Sequence, residues 1–300
     1  MAIELNFPVL KKNNFIILFT DFNSKIGLGN YIRAQSLKKN IEKRKIKVHL
    51  FFNIKKSHKL NQILKKYQTP KLVLIDSPII NKIIIEQYKS VSKVLCFDWF
   101  GKFVPNYNIA IYEHSKLRAT NKIFSGIKYI NLRKEITKLS INKKIIDNKF
   151  LIVIGGGDIN NQGLRLAKYI TEKGFVTTLV IGPLSKYKKL EIIHKRLKLY
   201  KSDKHFPEIL SSHNNIITNA GTCLFESHFL NKNIYVLPQT TKEKTIAKYF
   251  YKNKLILGFG FNNIKKFNFK KFNNLKPNKK IVDGKGLDRV TNIITKIFKK

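Results

Sequence analysis

The sequence predicts an α/β protein built on two parallel sheets, each flanked by helices, and three observations carry that prediction. Short apolar runs recur, each followed by a Gly/Asn/Ser/Pro turn and then by a longer segment of mixed period, which is the rhythm of alternating strands and helices. The rhythm restarts once, after the polar stretch 140–148. With 300 residues and 43% apolar content the chain is long enough to bury two cores, so the domains are placed at 1–146 and 147–300.

The elements follow in order. Phe15-Ile16-Ile17-Leu18-Phe19 is apolar on both faces, as a strand inside a parallel sheet requires. Residues 30–44 make the next helix, with Ile32, Leu37 and Ile41 on its apolar side. Strands at 47–52, 71–75 and 93–97 then alternate with helices at 60–67 and 81–88. In the second half, strand 150–154 runs into Gly155-Gly156-Gly157-Asp158, helix 161–174 follows, and strand 177–181 ends at Gly182-Pro183. Strand 215–218 enters Asn219-Ala220-Gly221-Thr222, and helix 223–230, strand 234–237 and helix 242–251 come after it. Segment 288–300 has Val290, Ile293, Ile294, Ile297 and Phe298 at helical spacing, and is read as a helix packed on the fold rather than one lying on a membrane. The Lys/Asn-rich stretch 262–280 interleaves Phe267, Phe269 and Phe272 with lysines, and is read as a surface loop with anchoring aromatics rather than a base-stacking surface.

Composition narrows the function classes. A net charge of +41 would ordinarily point to nucleic acid, yet only seven of the 59 basic residues are arginine, leaving 52 lysines scattered along the chain. Lys, Ile, Asn and Phe share A/T-rich codons, so drift in base composition explains the charge without a selected partner. No specific nucleic-acid partner is expected. The field would still concentrate phosphorylated substrates and favour peripheral contact with an anionic membrane. The first residues lack a signal-peptide pattern and no apolar run approaches the roughly 18 residues of a membrane span, so the expected location is cytoplasmic, with any membrane association at the inner face. Cys96 and Cys223 stand far apart, which suggests neither a disulfide framework nor a structural zinc site.

In an open parallel sheet, ligands bind beyond the carboxyl ends of the strands, so the loops that follow strands hold the candidate site residues. The first, Ser24-Lys25-Ile26-Gly27-Leu28-Gly29-Asn30, opens a helix. There the missing Cβ atoms of Gly27 and Gly29 let backbone approach a diphosphate, and Arg33 one turn later adds a cation. The competing reading is a tight strand-to-helix turn. Gly155, Gly156, Gly157 and Asp158 occupy the equivalent place in the second half. Asn219, Gly221, Thr222 and Cys223 open another helix, where a glycine and a hydroxyl suit phosphate oxygens and Glu226 is spaced to accept from ribose hydroxyls. Their alternatives are an ordinary N-cap and a solvated helix charge. Asp98, at a strand end, is the candidate base, its competing reading a structural turn aspartate, with His114 a weaker candidate; His49, His58, His194, His205, His213 and His228 read as structural or solvated.

These residues resemble a known family. Ile26-Gly27-Leu28-Gly29-x-x-x-Arg33, Phe97-Asp98, the segment Ser125-Gly126-Ile127-Lys128-Tyr129-Ile130-Asn131-Leu132-Arg133-Lys134-Glu135, Gly155-Gly156-Gly157-Asp158, Gly221-Thr222-x-x-x-Glu226 and Val282-Asp283-Gly284-Lys285-Gly286-Leu287-Asp288-Arg289 occur in order along nearly the whole chain. The sequence is similar to the glycosyltransferase-B-type proteins that include the UDP-sugar hydrolases of pseudaminic acid synthesis and the predicted spore-coat-polysaccharide glycosyltransferases. The resemblance implies two Rossmann-like domains with the active site in the cleft between them, and a UDP-sugar as substrate with no cofactor and no metal. UDP would be held mainly by the C-terminal half and the sugar would face the loop 27–33. It also implies a departure. The hydrolases carry a water-activating histidine where Asn30 stands, and Lys242-Glu243 replace their Asn-Gln pair. Asparagine cannot act as a base near neutral pH, so transfer of the sugar to a glycan or small-molecule acceptor is expected in preference to hydrolysis. A catalytically idle sugar-nucleotide-binding protein is the third possibility.

Overall fold

The computed structural model describes residues 13–300 except 24–27, 55–56, 68, 78–81, 99–104, 111–121, 140–147, 159, 186–193, 267, 270–271 and 273–280. Gly27, His114 and most of the expected interdomain stretch therefore lie outside the described residues. In chain order the elements are β1 (Asn13–Thr20), α1 (Gly29–Glu42), β2 (Lys47–Phe52), α2 (Ser57–Tyr67), β3 (Pro70–Asp76), α3 (Lys82–Lys89), β4 (Lys93–Phe97), β5 (Tyr107–Ala110) and β6 (Ile123–Ser125). After a 3-10 turn at Ile127–Tyr129 come α4 (Lys134–Thr137), β7 (Lys149–Val153), α5 (Gln162–Glu172), β8 (Val176–Ile181), β9 (Leu197–Lys201), α6 (Phe206–Ser212), β10 (Asn215–Thr218) and α7 (Thr222–Phe229). β11 (Asn233–Val236), α8 (Thr241–Lys252), β12 (Gly258–Phe259), α9 (Phe261–Lys265) and α10 (Gly286–Lys299) complete the fold.

The chain divides into two compact units, each holding one six-stranded parallel sheet. Unit 1 comprises 1–22, 30–131 and 285–300; unit 2 comprises 23–29 and 132–284. This differs from the division at 146/147: residues 132–139 go with the second sheet, and the C-terminal helix returns to the first.

In unit 1 the strand order is β2-β1-β3-β4-β5-β6. Strand alternation sorts its core into two layers. Ile16, Leu18, Leu72 and Leu74 face α1 and α10, while Ile17, Phe19, Val73 and Ile75 pack with Ile63 of α2 and with Ile85 and Tyr88 of α3. Helix α10 contributes Leu287, Val290, Ile294, Ile297 and Phe298 to the first layer. Each such burial is worth roughly 1.5–3 kcal/mol, which accounts for a C-terminal helix held by the N-terminal sheet. Its entry is sterically exacting, since a Cβ at Gly286 would lie 1.9 Å from the Ile130 carbonyl oxygen. Asn40 donates to Asp288 and Thr291, and Arg289 to the Lys128 carbonyl (3.1 Å). The two segments that carry much of the family resemblance, 125–135 and 282–289, thus meet at Gly286 and Arg289 to seat α10.

In unit 2 the order is β12-β11-β10-β7-β8-β9. Phe269 and Phe272 from the Lys/Asn-rich stretch are buried, with ring centroids 5.6 and 5.0 Å from that of Phe150. They anchor the core, and stacking on bases is closed to them. β5, β6, β9, α6, β12 and α9 are elements that the periodicity did not predict.

Both sheets reverse direction once. β2 and β3 lie on opposite sides of β1, and β8 and β10 on opposite sides of β7. The connecting loops diverge at such points and leave a crevice at the carboxyl ends of the strands.

Candidate functional site

The crevice of unit 2 is formed by the loops after β7, β10 and β11. Gly155 leaves β7 with φ +56, a conformation that favours glycine, and Gly155–Gly157 are half-buried. Asn219, after β10, is wedged between glycine backbones: its Nδ2 is 3.3 Å from where a Cβ on Gly155 would be and 3.1 Å from one on Gly221. That Nδ2 donates to Glu243 Oε1 (2.7 Å), while the Gln239 backbone N–H donates to Glu243 Oε2 (2.7 Å). Thr240 is the N-cap of α8, its Oγ1 accepting from the Glu243 N–H (3.2 Å). Burial raises the carboxyl pKa of Glu243 above its ordinary value, and the hydrogen bonds from Gln239, Asn219 and Ala220 oppose that rise. A carboxylate can only accept, so Asn219 must present Nδ2 to it. Asn219 Oδ1 is left with no partner among the described residues, and neither has Gln239 Oε1. Two buried acceptors at the crevice suit the hydroxyl or N–H donors of a ligand.

At the start of α7, Gly221 is the N-cap and Thr222 the first helical residue, so Thr222 is not the cap it resembles in sequence. Gly221, Thr222 and Cys223 keep partial exposure, while Leu224 through Phe229 are buried. Although part of Cys223 is exposed, burial of its thiol, reinforced by the Glu226 carboxylate, pushes its pKa up to about 12, which disfavours the thiolate a nucleophile would need.

Two expected ligand contacts are engaged within the protein. Glu226 is fully buried and forms a two-pronged ion pair with Arg133, from Nε to Oε1 (2.6 Å) and from Nη2 to Oε2. It is neither a solvated charge nor open to ribose as the structure stands. Burial disfavours the Arg133 charge, but pairing with Glu226 outweighs this and raises its pKa; its guanidinium also lies 4.7 Å from the Phe206 ring centroid. Asp158 (φ 38) accepts from the backbone N–H groups of Gln162 (3.0 Å) and Gly163 (2.8 Å), capping α5 instead of facing a ligand. A side chain at Gly163 would obstruct that cap, since its Cβ would lie 2.9 Å from Asp158 Oδ2.

The crevice of unit 1 is lined by side chains. Asp76 ends β3 on the face that α1 covers, and Arg33 of α1 donates to both its oxygens, from Nε (2.6 Å) and from Nη2. Arg33 Nη2 also reaches Asn30 Oδ1 (3.4 Å), and its Nη1 stands 4.0 Å from Asp98. The cation expected to meet a diphosphate is therefore committed to carboxylates of its own unit. Asp98, at φ 47 after β4, is held by its backbone N–H bond to the Ile109 carbonyl (2.9 Å). Asp21 after β1 accepts from the Ser77 hydroxyl. Arg133, Glu243, Gln239 and Asp76 were not singled out as site residues; Arg133 was visible only as part of the 125–135 motif.

His49 lies in β2 and His228 inside α7, where burial lowers its pKa to about 4. Among the described residues no three His, Cys, Asp or Glu side chains are grouped to hold a metal ion, and no helix is long and apolar enough to cross a membrane.

No family model matches the chain. An uncharacterized protein of Methanocaldococcus jannaschii is 26% identical over 76% of this chain and 56% of its own length, so the chain spans little more than half of that relative. Solved structures share the fold at low identity. UDP-GlcNAc 2-epimerase from M. jannaschii, in complex with UDP-GlcNAc and UDP, aligns at TM-score 0.61 and 14% identity, over 93% of this chain and 99% of that one. The UDP-GlcNAc 2-epimerase of Neisseria meningitidis bound to UDP-GlcNAc gives 0.61 and 13%, over 93% and 100%. MurG of Acinetobacter baumannii gives 0.59 and 10%, over 94% and 99%. The architecture is thus that of GT-B proteins, two Rossmann-like domains, and the structural neighbours include UDP-GlcNAc 2-epimerases with UDP-GlcNAc bound.

Proposed function

We propose that the chain is a UDP-sugar-dependent glycosyltransferase of GT-B type, acting in surface-polysaccharide or glycan synthesis and related to the hydrolase and spore-coat transferase group that its motifs resemble. The observation that carries this reading is the crevice of unit 2. It combines close-approach glycine backbone, the N-terminus of α7 and two unpartnered acceptors, Asn219 Oδ1 and Gln239 Oε1. Backbone N–H groups at the helix start receive the diphosphate, and the two acceptors receive nucleoside donors. In the reaction the acceptor oxygen attacks the anomeric carbon, the bond from that carbon to the diphosphate oxygen breaks, and UDP departs. Asp98 takes the hydroxyl proton of the acceptor. Hydrolysis is the weaker reading because Asn30, in place of the hydrolases' histidine, supplies no base.

Thermal unfolding with UDP, UMP, ADP, GDP and CMP, at moderate salt and with EDTA present, tests the assignment. A ligand at about a hundred times its Kd adds roughly 2.7 kcal/mol to native-state stability. Selective stabilisation by UDP is expected. Equal shifts with every nucleotide would reduce the effect to phosphate on a basic surface, and no shift would overturn the UDP-sugar reading.

A further inference from the structure

The proposed reaction leaves unused a cluster of three rings on unit 1. Phe22 follows β1, Phe52 ends β2, and Tyr31 sits in the first turn of α1. Their centroids are 4.7 Å (Phe22–Tyr31), 5.5 Å (Phe22–Phe52) and 5.9 Å (Tyr31–Phe52) apart, and Phe52 is 50% exposed. The placement is built. Asn53, at φ 54, donates its backbone N–H to the Thr20 carbonyl (3.1 Å), and its Oδ1 accepts from the Phe22 N–H (3.0 Å). Those two bonds tie the loops after β1 and β2 together and set Phe22 beside Phe52. Gln35 Nε2 donates to the Tyr31 hydroxyl (2.6 Å), fixing the third ring.

The rings stand at the carboxyl edge of the sheet, next to the point where its strand order reverses. The adjoining residue, Asp21, is buried with Ser77 on its carboxylate, and Asp76, Arg33 and Asp98 follow along the same edge. An aromatic surface, exposed at Phe52 and part-buried at Phe22 and Tyr31, beside carboxylates and a guanidinium matches a pyranose ring, whose C–H face is apolar while its hydroxyls donate and accept. A lipid chain would call for an apolar surface continuing where the charges stand. A nucleic-acid strand would meet repelling carboxylates beside the rings.

We propose that Phe22, Tyr31 and Phe52 form a stacking platform for a saccharide, and that the acceptor is therefore a sugar bound through the C–H face of its ring. The identity of this sugar as acceptor rests on the transferase reading; the platform itself does not. Saturation-transfer NMR of the full chain with a panel of methyl pyranosides and disaccharides tests it, with the UDP thermal shift measured on the same samples. Transfer should be strongest at ring C–H protons, weaken roughly tenfold in affinity with Phe52→Ala, and recover with Phe52→Trp. Tyr31→Ala should act in the same direction, and unchanged melting of the half-exposed Phe52→Ala variant verifies its fold. Absence of transfer from every sugar, or transfer that Phe52→Ala and Tyr31→Ala leave untouched, overturns the platform even where UDP stabilises the protein. Transfer that depends on Phe52 without a UDP shift upholds the platform and removes the transferase reading.

Discussion

The two crevices share a topology and differ in what lines them. In unit 2 the lining is largely backbone: Gly155–Gly157, Gly221 and the start of α7, braced by one amide–carboxylate contact between Asn219 and Glu243. In unit 1 it is side chains, with Arg33 between Asp76 and Asp98, Asp21 with Ser77, and three rings at the margin. Backbone N–H groups suit a diphosphate whatever sugar it carries. Carboxylates and rings suit the hydroxyls and C–H faces that distinguish one sugar from another. Under the proposed function, the same reversal of strand order yields a crevice generic toward the sugar and a selective one.

Substitutions that separate the two crevices test this contrast. Asp98→Asn should reduce transfer by about 10²–10⁴-fold, up to roughly 5 kcal/mol of activation free energy, while the UDP-dependent rise in melting temperature persists. Loss of both together would place Asp98 in nucleotide binding and blur the contrast. Arg133→Ala should cost about 3–5 kcal/mol in urea unfolding, because Glu226 would remain buried without its cation. Pairing Arg133→Met with Glu226→Leu should recover most of that loss, and equal destabilisation by both variants would refute the explanation.

A smaller effect follows from His228, whose buried ring has no partner on Nε2 among the described residues. With a folded pKa of about 4 against an ordinary 6.5, the unfolded chain binds this proton first as pH falls. Stability is unaffected above 6.5 and is lost progressively between 6.5 and 4, by about 3 kcal/mol in all. His228→Leu should remove that portion of the pH dependence, seen as the difference between the two unfolding profiles. The least effect is expected of Asn219→Ala, at about 2 kcal/mol, since the buried Glu243 carboxylate loses one donor. This variant should shrink the UDP shift and leave saccharide binding intact, the converse of Asp98→Asn.

The repeated α/β pattern was legible because strands buried on both faces need unbroken apolar runs such as 15–19 and 150–154, and amphipathic helices must show their period. β9 escaped notice because Leu197–Lys201 is a short edge strand, Leu-Lys-Leu-Tyr-Lys, with no continuous apolar run, and β5, β6 and β12 are only two to four residues long. At the site, the loops Gly155–Gly157 and Asn219–Cys223 were identified correctly as strand-end loops, because glycine after an apolar run marks a turn into a helix. The roles of Asp158, Arg33 and Glu226 were not legible. A charge before or just inside a helix start reads the same whether it meets a ligand, a cap or a partner far along the chain.

The order of apolar runs and glycine turns by itself determined two parallel sheets and the loops that end their strands, since burial and backbone geometry act locally. Only the tertiary structure decided that the C-terminal helix belongs to the first sheet, that Glu226 is answered by Arg133 and Asp76 by Arg33, and that Phe22, Tyr31 and Phe52 meet. Those pairings join residues 9 to 93 positions apart, with α10 seated on a sheet still farther back in the chain. Their partners are chosen by strand order and by the face on which each side chain emerges, which no local run of sequence specifies.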